Sequence, residues 1–188
     1  MTTRRLLLLA SWLLLLSGGR SLAAQGCFRG RPLPRCRSFW ITEAEGGVRL
    51  AGPGAPGGEL DARLGVELGW MRNLSRRTAI GGGVAVGWDG VEFVSLRPRY
   101  RRWLTPAVAL DASPGVRWTP GRVETVEARV ALSWKDLAGV WTEIDAGFGT
   151  GSAVRWTAGV KTGAQAGLAS YVLGAIVFAI RIATFPAD

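Results

Sequence analysis

The chain has 188 residues, with 23 basic and 14 acidic side chains, two cysteines and no histidine. The lack of histidine removes the commonest general base and metal ligand, and two cysteines alone do not form a recognisable zinc site. The length suits a single domain. We therefore expect a protein that is not an enzyme and that uses no cofactor and no metal.

Residues 1–24 have the pattern of a secretory signal peptide. Arg4 and Arg5 precede a leucine-rich run from Leu6 to Leu16, and small residues follow up to Ala24. A basic start, a short apolar centre and a small-residue cleavage site are the three parts of such a signal. An uncleaved membrane anchor is the alternative, but the run is short for a spanning helix. The sequence therefore predicts export.

The mature chain remains basic after the signal peptide is removed. Without Arg4, Arg5 and Arg20, 20 basic and 14 acidic residues leave a net charge of +6. An exported protein rarely meets nucleic acid, so we expect no nucleic-acid partner. Anionic lipid head groups are the partner that this charge favours.

Residues 25–36 form a leader that contains Pro32 and Pro34 among arginines. Its two cysteines, Cys27 and Cys36, are predicted to form a disulfide across a short loop, as exported proteins allow. Lipidation of Cys27 is the alternative, although Gln25 fits a lipoprotein signal poorly.

Alternation with a period of two dominates residues 37–162 and predicts an all-β fold. In Glu59–Trp70 every even position is apolar and every odd position is charged or glycine, which is typical of a strand with one apolar face. The same pattern predicts eight strands: Arg37–Leu50, Glu59–Trp70, Arg77–Trp88, Val91–Leu104, Ala107–Trp118, Arg122–Trp134, Ala138–Phe148 and Ala153–Thr162. Short turns join them, so we expect an antiparallel up-and-down β-barrel.

Several turn and breaker residues punctuate these strands. Asp89-Gly90 is a strong two-residue hairpin signal, and Arg72–Ser75 is predicted to be a turn. Pro98 predicts a bulge or a local break in the fourth strand. Pro114-Gly115 is expected to interrupt the fifth.

The C-terminal apolar segment, residues 163–188, departs from the alternating pattern. Ala164–Ile182 is apolar on neighbouring helical faces and carries no charge before Arg181. Continuous apolarity over this length predicts a helix that contacts lipid or packs on the barrel. The alternative is a closing strand over Val177–Phe185.

The polar face of the predicted strands mixes both charge signs with many glycines. Opposite charges can pair inside a narrow barrel, and glycines leave room there, whereas a water-facing surface would carry more lysine than Lys135 and Lys161. We therefore expect the polar face to point inward and the apolar face to meet lipid. The predicted interior charges are Glu59, Asp61, Arg63, Glu67, Glu127, Arg129, Glu143, Asp145, Arg155 and Lys161.

Each predicted strand carries one tryptophan near an end. In an antiparallel meander these side chains are expected to form two aromatic girdles, as membrane barrels do. The girdle residues are Trp40, Trp70, Trp88, Trp103, Trp118, Trp134, Trp141 and Trp156. With its signal peptide and alternating strands, the chain resembles the small outer-membrane β-barrel proteins of Gram-negative-type bacteria. That resemblance implies an outer-membrane location.

The sequence thus predicts an integral outer-membrane barrel with a structural or interface role and no wide pore, because barrels of eight strands have filled interiors. A secreted or periplasmic soluble barrel that binds an apolar ligand, on a lipocalin-like plan, is the second hypothesis. An envelope enzyme is the third. Its carboxylate pairs, Glu43 with Glu45 and Glu143 with Asp145, are expected to meet arginines rather than substrate. The basic run Arg97–Trp103 is expected to enter the barrel or reach lipid phosphates.

Overall fold

The structure is a computed structural model, which describes Cys27, residues 30–52, 62–119, 125–148 and 153–163, Gly167 and Ala169. The signal-peptide prediction, the interior charges Glu59 and Asp61, and nearly all of the predicted C-terminal helix lie outside these residues. The described part of the chain contains no helix with the length and apolar character needed to span a bilayer.

Eight antiparallel strands close into an up-and-down barrel, which confirms the predicted all-β fold. Each strand pairs with the next in the chain, and the first pairs with the last. The strands are β1 (Ser38–Ala51), β2 (Ala62–Asn73), β3 (Thr78–Asp89), β4 (Glu92–Trp103), β5 (Val108–Trp118), β6 (Thr125–Trp134), β7 (Ala138–Gly147) and β8 (Val154–Thr162). We call the end where β1 begins and β8 ends the proximal end, and the opposite end the distal end.

The barrel closes without the C-terminal segment, since β1 pairs directly with β8. A closing strand at Val177–Phe185, the alternative considered above, is therefore not required. Gly167 is described, and it lies against the carbonyl oxygen of Thr42 on β1. Its backbone N–H donates to the carbonyl oxygen of Gly163 at 3.3 Å.

The local break predicted at Pro98 is present in the pairing of β4 with β5, whereas the interruption predicted in β5 is not. β4 continues through Pro98 without a bulge, and β5 continues through Pro114 and pairs with β6 there, so the expected interruption of the fifth strand was wrong. The pairing of β4 with β5 has a gap between Leu96 and Tyr100, with the same register on both sides. In that register the two prolines face each other, and neither has an N–H to donate. The gap is thus a local break with no extra residue.

Other details of the strand ends also differ from the sequence pattern. β2 extends to Asn73, so the turn predicted at Arg72–Ser75 comes later, between Asn73 and Thr78. The register shift in the barrel lies in β1, between Arg49 and Ala51 opposite β8. The hairpin at Asp89-Gly90 is present, and Gly90 supplies a φ of 70°, which most other residues adopt only with strain.

The leader lies across the proximal end of the barrel. Cys27 and Cys36 form the disulfide, with their Cα atoms 6.3 Å apart. Cys27 also makes a parallel β-bridge to Phe39, which places it on the edge of β1 that extends beyond β8. The Asn73 side chain holds the loop closed, because its Nδ2 donates to the carbonyl oxygens of Arg31 at 2.6 Å and Cys36 at 2.7 Å.

A small apolar core lies inside the proximal end, below this leader. Its buried members come from β1 to β5: Phe39, Ile41, Met71, Ala79, Trp103 and Ala109. Cys27 packs against them from the leader. The proximal end is therefore closed by apolar packing, whereas charged side chains predominate in the rest of the interior.

Glycines on β1 and β8 make room for one interior tryptophan. Gly47 and Gly159 are register partners, and Gly159 is also paired with Trp141 on β7. A Cβ added to Gly47 would lie 2.6 Å from Trp141 Cζ2 and 2.8 Å from the carbonyl oxygen of Ala158. The Trp141 ring can therefore occupy this place only because Gly47 has no side chain.

Adjacent glycines of β1 give a matched test of this packing. We expect Gly47→Ala to lower the free energy of unfolding by about 1–3 kcal/mol, since the methyl group meets the Trp141 ring. Gly46→Ala is the control, because its Cβ would meet only Leu64 Cδ2, at 3.7 Å. That change should stay within about 0.5 kcal/mol. Urea unfolding of both variants measures the difference, and equal effects would show that the ring does not need the space.

Candidate functional site

The polar face of the strands points into the barrel. Seven of the predicted interior charges are buried there: Arg63, Glu67, Glu127, Arg129, Glu143, Asp145 and Lys161. Arg155 is only partly buried, and its Nε donates to Asp145 at 2.6 Å. The alternation of the strands therefore places these side chains together, although they are far apart in the chain.

β4 contributes three further interior cations. From the sequence, this basic run was expected either to enter the barrel or to reach lipid phosphates. Arg97, Arg99 and Arg101 are buried, whereas the intervening outward positions include Tyr100 and Arg102. Their period of two in the run Arg97–Trp103 is the signal that could have assigned them. The run therefore divides between the two faces of one strand.

Basic and acidic side chains are equal in number among the buried charged residues that the structure describes. The eight basic residues are Arg49, Arg63, Arg97, Arg99, Arg101, Arg117, Arg129 and Lys161. The eight acidic residues are Glu43, Glu45, Glu67, Asp89, Asp111, Glu127, Glu143 and Asp145. Opposite charges in equal number allow each buried ion to be paired, which a low-dielectric interior requires.

Arg97 occupies the centre of this network. Its guanidinium reaches four carboxylates on four other strands: Glu127 at 2.5 Å, Glu67 at 3.1 Å, Glu45 at 3.4 Å and Glu143 at 3.4 Å. Arg129 also pairs with Glu45, and Arg63 with Glu143. The network thus crosses the barrel and joins strands that are not neighbours in the sheet.

A second group of pairs lies towards the proximal end. Arg99 makes two bonds to Glu43, at 3.0 and 3.1 Å, and Lys161 reaches the same carboxylate at 2.8 Å. Arg101 makes a two-bond pair with Asp111, at 2.6 and 2.8 Å. Such fork-to-fork contacts are the stronger class of charged hydrogen bond.

A third group lies towards the distal end. Arg117 contacts Glu127 at 2.9 Å and Asp89 at 3.2 Å, and Arg49 reaches Asp89 at 2.8 Å. Arg63 lies against two interior aromatic rings, with its Cζ 4.8 Å from the Phe93 centroid and 5.3 Å from that of Trp141. Cations over aromatic faces are attracted by the ring quadrupole. Charged and aromatic groups therefore fill this part of the interior together.

Asp136 lies outside the strands, in the β6–β7 turn. It and Lys135 have φ values of 53° and 52°, as a type I′ hairpin turn requires. Burial raises the pKa of Asp136, while the guanidinium of Arg101, 2.7 Å from its Oδ1, acts in the opposite direction. Because the folded state then holds the proton more tightly than the unfolded chain, the contribution of Asp136 to stability falls as pH rises through the raised pKa.

The carboxylate pairs are engaged with cations. Glu43 meets Arg99 and Lys161, and Glu45 meets Arg129. Glu143 and Asp145 contact Arg117. Among the described residues, no group of three or more potential ligands is placed to hold a metal ion. The arrangement is one of mutual neutralisation across a filled barrel.

Two of the eight tryptophans do not have the predicted girdle position. Trp103 and Trp141 are only 4% and 3% exposed, and both point inward. The prediction used their nearness to strand ends, but the alternation places Trp103 on the face of Arg101 and Trp141 on the face of Glu143. Trp141 Nε1 donates to the carbonyl oxygen of Val160 at 3.0 Å, and Trp103 belongs to the apolar core.

The other six tryptophans point outward in two rows. Trp40, Trp70 and Trp134 lie near the proximal end, where Trp40 and Trp70 are register partners. Trp88, Trp118 and Trp156 lie near the distal end. Tyr100 adds a fourth outward ring to the proximal row. We call these the proximal and distal aromatic rows.

Replacing Arg97 tests whether the barrel depends on its central cation. We expect Arg97→Met to lower the free energy of unfolding by about 3–5 kcal/mol, because carboxylates then remain buried without enough positive charge. Arg102→Met, on the outward face of the same strand, should change it by no more than about 0.5 kcal/mol. Urea unfolding of the two variants compares them. Similar effects at both positions would contradict the network's role.

Comparisons with known proteins give structural likenesses only. No protein-family model matches the chain, and no curated protein matches it. A solved structure described as "De novo design of transmembrane beta-barrels" is 9% identical, with a TM-score of 0.43, covering 72% of this chain and 98% of that chain. The solution NMR structure of the de novo designed TMB2.3 is 12% identical, with a TM-score of 0.39, covering 74% and 96%. The barrel fold rests on the strand pairing described above.

Proposed function

We propose that the chain is an integral outer-membrane protein whose barrel spans the bilayer and has a structural or interface role, without catalysis and without a wide pore. One observation carries the proposal: the polarity of the barrel is inverted. Charged side chains fill the inside, while valine, leucine, isoleucine and tryptophan side chains cover the outside. Lipid is the solvent that stabilises such an outer face.

The height of the apolar band supports this proposal. On β4 the outward face has no charge between Glu92 and Arg102, and Leu96 in the middle is 52% exposed. Ten residues at about 3.3 Å each span about 33 Å along a strand. At a tilt of about 35–45°, that length corresponds to about 23–27 Å of height, close to the band of about 25 Å that bilayers need. The two aromatic rows lie near its limits.

The filled interior supports a role other than conduction. Arg97 bridges carboxylates from four strands, so the centre of the barrel is crossed by ion pairs. The proximal end is covered by the leader and its disulfide. Water and solutes would have to displace paired charges to pass, which favours a structural or interface protein over a channel.

The inverted polarity also favours a membrane barrel over the soluble alternative. A barrel that carries an apolar ligand needs apolar side chains inside, and here that face holds Glu67, Arg97 and Glu143. The outer-membrane assignment itself rests on the predicted export signal, because bacterial barrels of this type are exported before they insert.

Fractionation of cells that produce the full chain tests the proposal. We expect the mature protein to remain with the outer membrane after carbonate washing and to be released by detergent. Recovery in the soluble periplasmic or culture fraction without detergent would contradict it and would favour the apolar-ligand barrel.

A charge placed on the outer face should block insertion according to its depth. Leu96→Arg lies mid-strand, so we expect a cost of about 2–4 kcal/mol and a clear loss of folding into lipid vesicles. Leu64 is only the third residue of β2, and Leu64→Arg near the distal rim should cost about 0–1 kcal/mol. Heat-modifiable gel migration measures the folded fraction. If both arginine variants folded as well as the parent chain, the outer face would not be in contact with lipid.

A further inference from the structure

Exposed basic side chains surround the proximal end. Five of them lie on strand ends and turns, and we call these the basic collar: Arg72, Arg76, Arg77, Arg102 and Lys135. The leader adds Arg31, Arg35 and Arg37 at the same end, and all eight side chains are exposed. Among the described residues none of the eight takes part in an ion pair, in contrast to the interior arginines.

The distal end differs among the described residues. Its described basic side chains are paired: Arg49 with Asp89, and the partly buried Arg155 with Asp145. The acidic residue Glu92 lies at the start of β4. Among the residues that the structure describes, the exposed positive charge is therefore concentrated at the proximal end.

The collar is placed directly beyond the proximal aromatic row. Arg72 follows Trp70 by two residues on β2, and Arg102 follows Tyr100 by two residues on β4, so each cation shares the outward face of its ring. Two residues correspond to about 7 Å along a strand. Lys135 lies beside the third ring, with its Nζ 4.5 Å from the Trp134 centroid.

This order along the strand matches the order of groups in a lipid leaflet. Aromatic rings prefer the boundary between acyl chains and head groups, and basic side chains a few ångströms further out reach the phosphates. We propose that the basic collar binds the head-group phosphates of anionic phospholipids and so selects the lipids around the proximal end. The inference rests on the proposed membrane role and specifies which lipids surround the proximal end of the barrel.

Quenching of tryptophan by brominated lipids measures this selection at each end separately. In the proximal reporter, Trp88, Trp118 and Trp156 are replaced by phenylalanine, so the outward tryptophans that remain lie in the proximal row. In the distal reporter, Trp40, Trp70 and Trp134 are replaced instead. Both mature chains are folded into vesicles of phosphatidylcholine and phosphatidylglycerol, with phosphatidylglycerol as about 30% of the lipid. In one sample the phosphatidylglycerol is brominated. In the other, the same amount of phosphatidylcholine is brominated, so that quenching by the two lipids can be compared directly.

We expect the proximal reporter to associate with phosphatidylglycerol about fivefold more strongly than with phosphatidylcholine at low salt, the effect of about one basic side chain near an anionic surface. The distal reporter should show a ratio near one. In about 1 M salt, where the screening length is about 3 Å, the proximal preference should nearly disappear.

Variants of the collar separate charge from shape. Replacing Arg72, Arg76, Arg77 and Arg102 together by glutamine in the proximal reporter should remove most of the preference. The matched replacement of the same four residues by lysine should keep it. A ratio near one in the unmodified proximal reporter, an equal preference at both ends, or an unchanged preference in the glutamine variant would each overturn the inference.

The two proposals fail in different ways. If the parent chain does not fold into phosphatidylcholine vesicles, the proposed membrane role is wrong, and with it the lipid selection that rests on it. If the parent and both collar variants fold with the same heat-modifiable migration but show no lipid preference, only the collar inference is wrong.

Discussion

Pairing of buried charges is the constraint on which the rest of the structure depends. Sixteen charged side chains of the described strands are buried, and an isolated ion in such an interior would cost several kcal/mol. Only a closed barrel brings Glu45 of β1 and Arg97 of β4 within reach of each other. The closure of the sheet and the pairing of its charges therefore require one another.

This interior determines what the outside must be. Strand residues alternate between two faces, so a chain that directs its arginines and carboxylates inward directs its valines and leucines outward. A membrane removes the cost of that exposed apolar face, because lipid tails are as apolar as the side chains. The closed β1–β8 seam also pairs the backbone of the first strand with that of the last, as a spanning structure requires.

The sequence was sufficient to predict the architecture, because the alternation over Glu59–Trp70 and the later strands carries the strand number and the identity of the two faces. It was not sufficient to predict the partners inside. Whether Arg97 meets Glu67 or Glu127 depends on the register and stagger of distant strands, which no local pattern contains. Trp103 and Trp141 lie near strand ends but point inward, because the alternation of each strand, and not distance from its end, determines which face a side chain takes. That Pro98 lies opposite Pro114 likewise becomes evident only when β4 and β5 are paired.

The two ends of the barrel have different chemistry. The proximal end is capped by the disulfide-closed leader above the apolar core of Phe39 and Trp103, and it is surrounded by exposed arginines. The distal interior keeps charges such as Arg49 and Asp89 near its opening. Together with the proposed membrane role, this asymmetry predicts one orientation of the barrel in a bilayer whose leaflets differ in charge.

Collision of spin labels with paramagnetic reagents tests the central claim most directly, namely that the apolar outer face lies in lipid. Val84 and Leu96 are register partners on the outer face near the middle of their strands, and Ser75 lies in an exposed turn. Single labels at these three positions would be compared after folding into vesicles. The account predicts that the two mid-barrel labels collide often with oxygen and rarely with a water-soluble nickel complex, whereas the Ser75 label shows the reverse. Frequent nickel collisions at Val84 and Leu96, equal to those at Ser75, would contradict it.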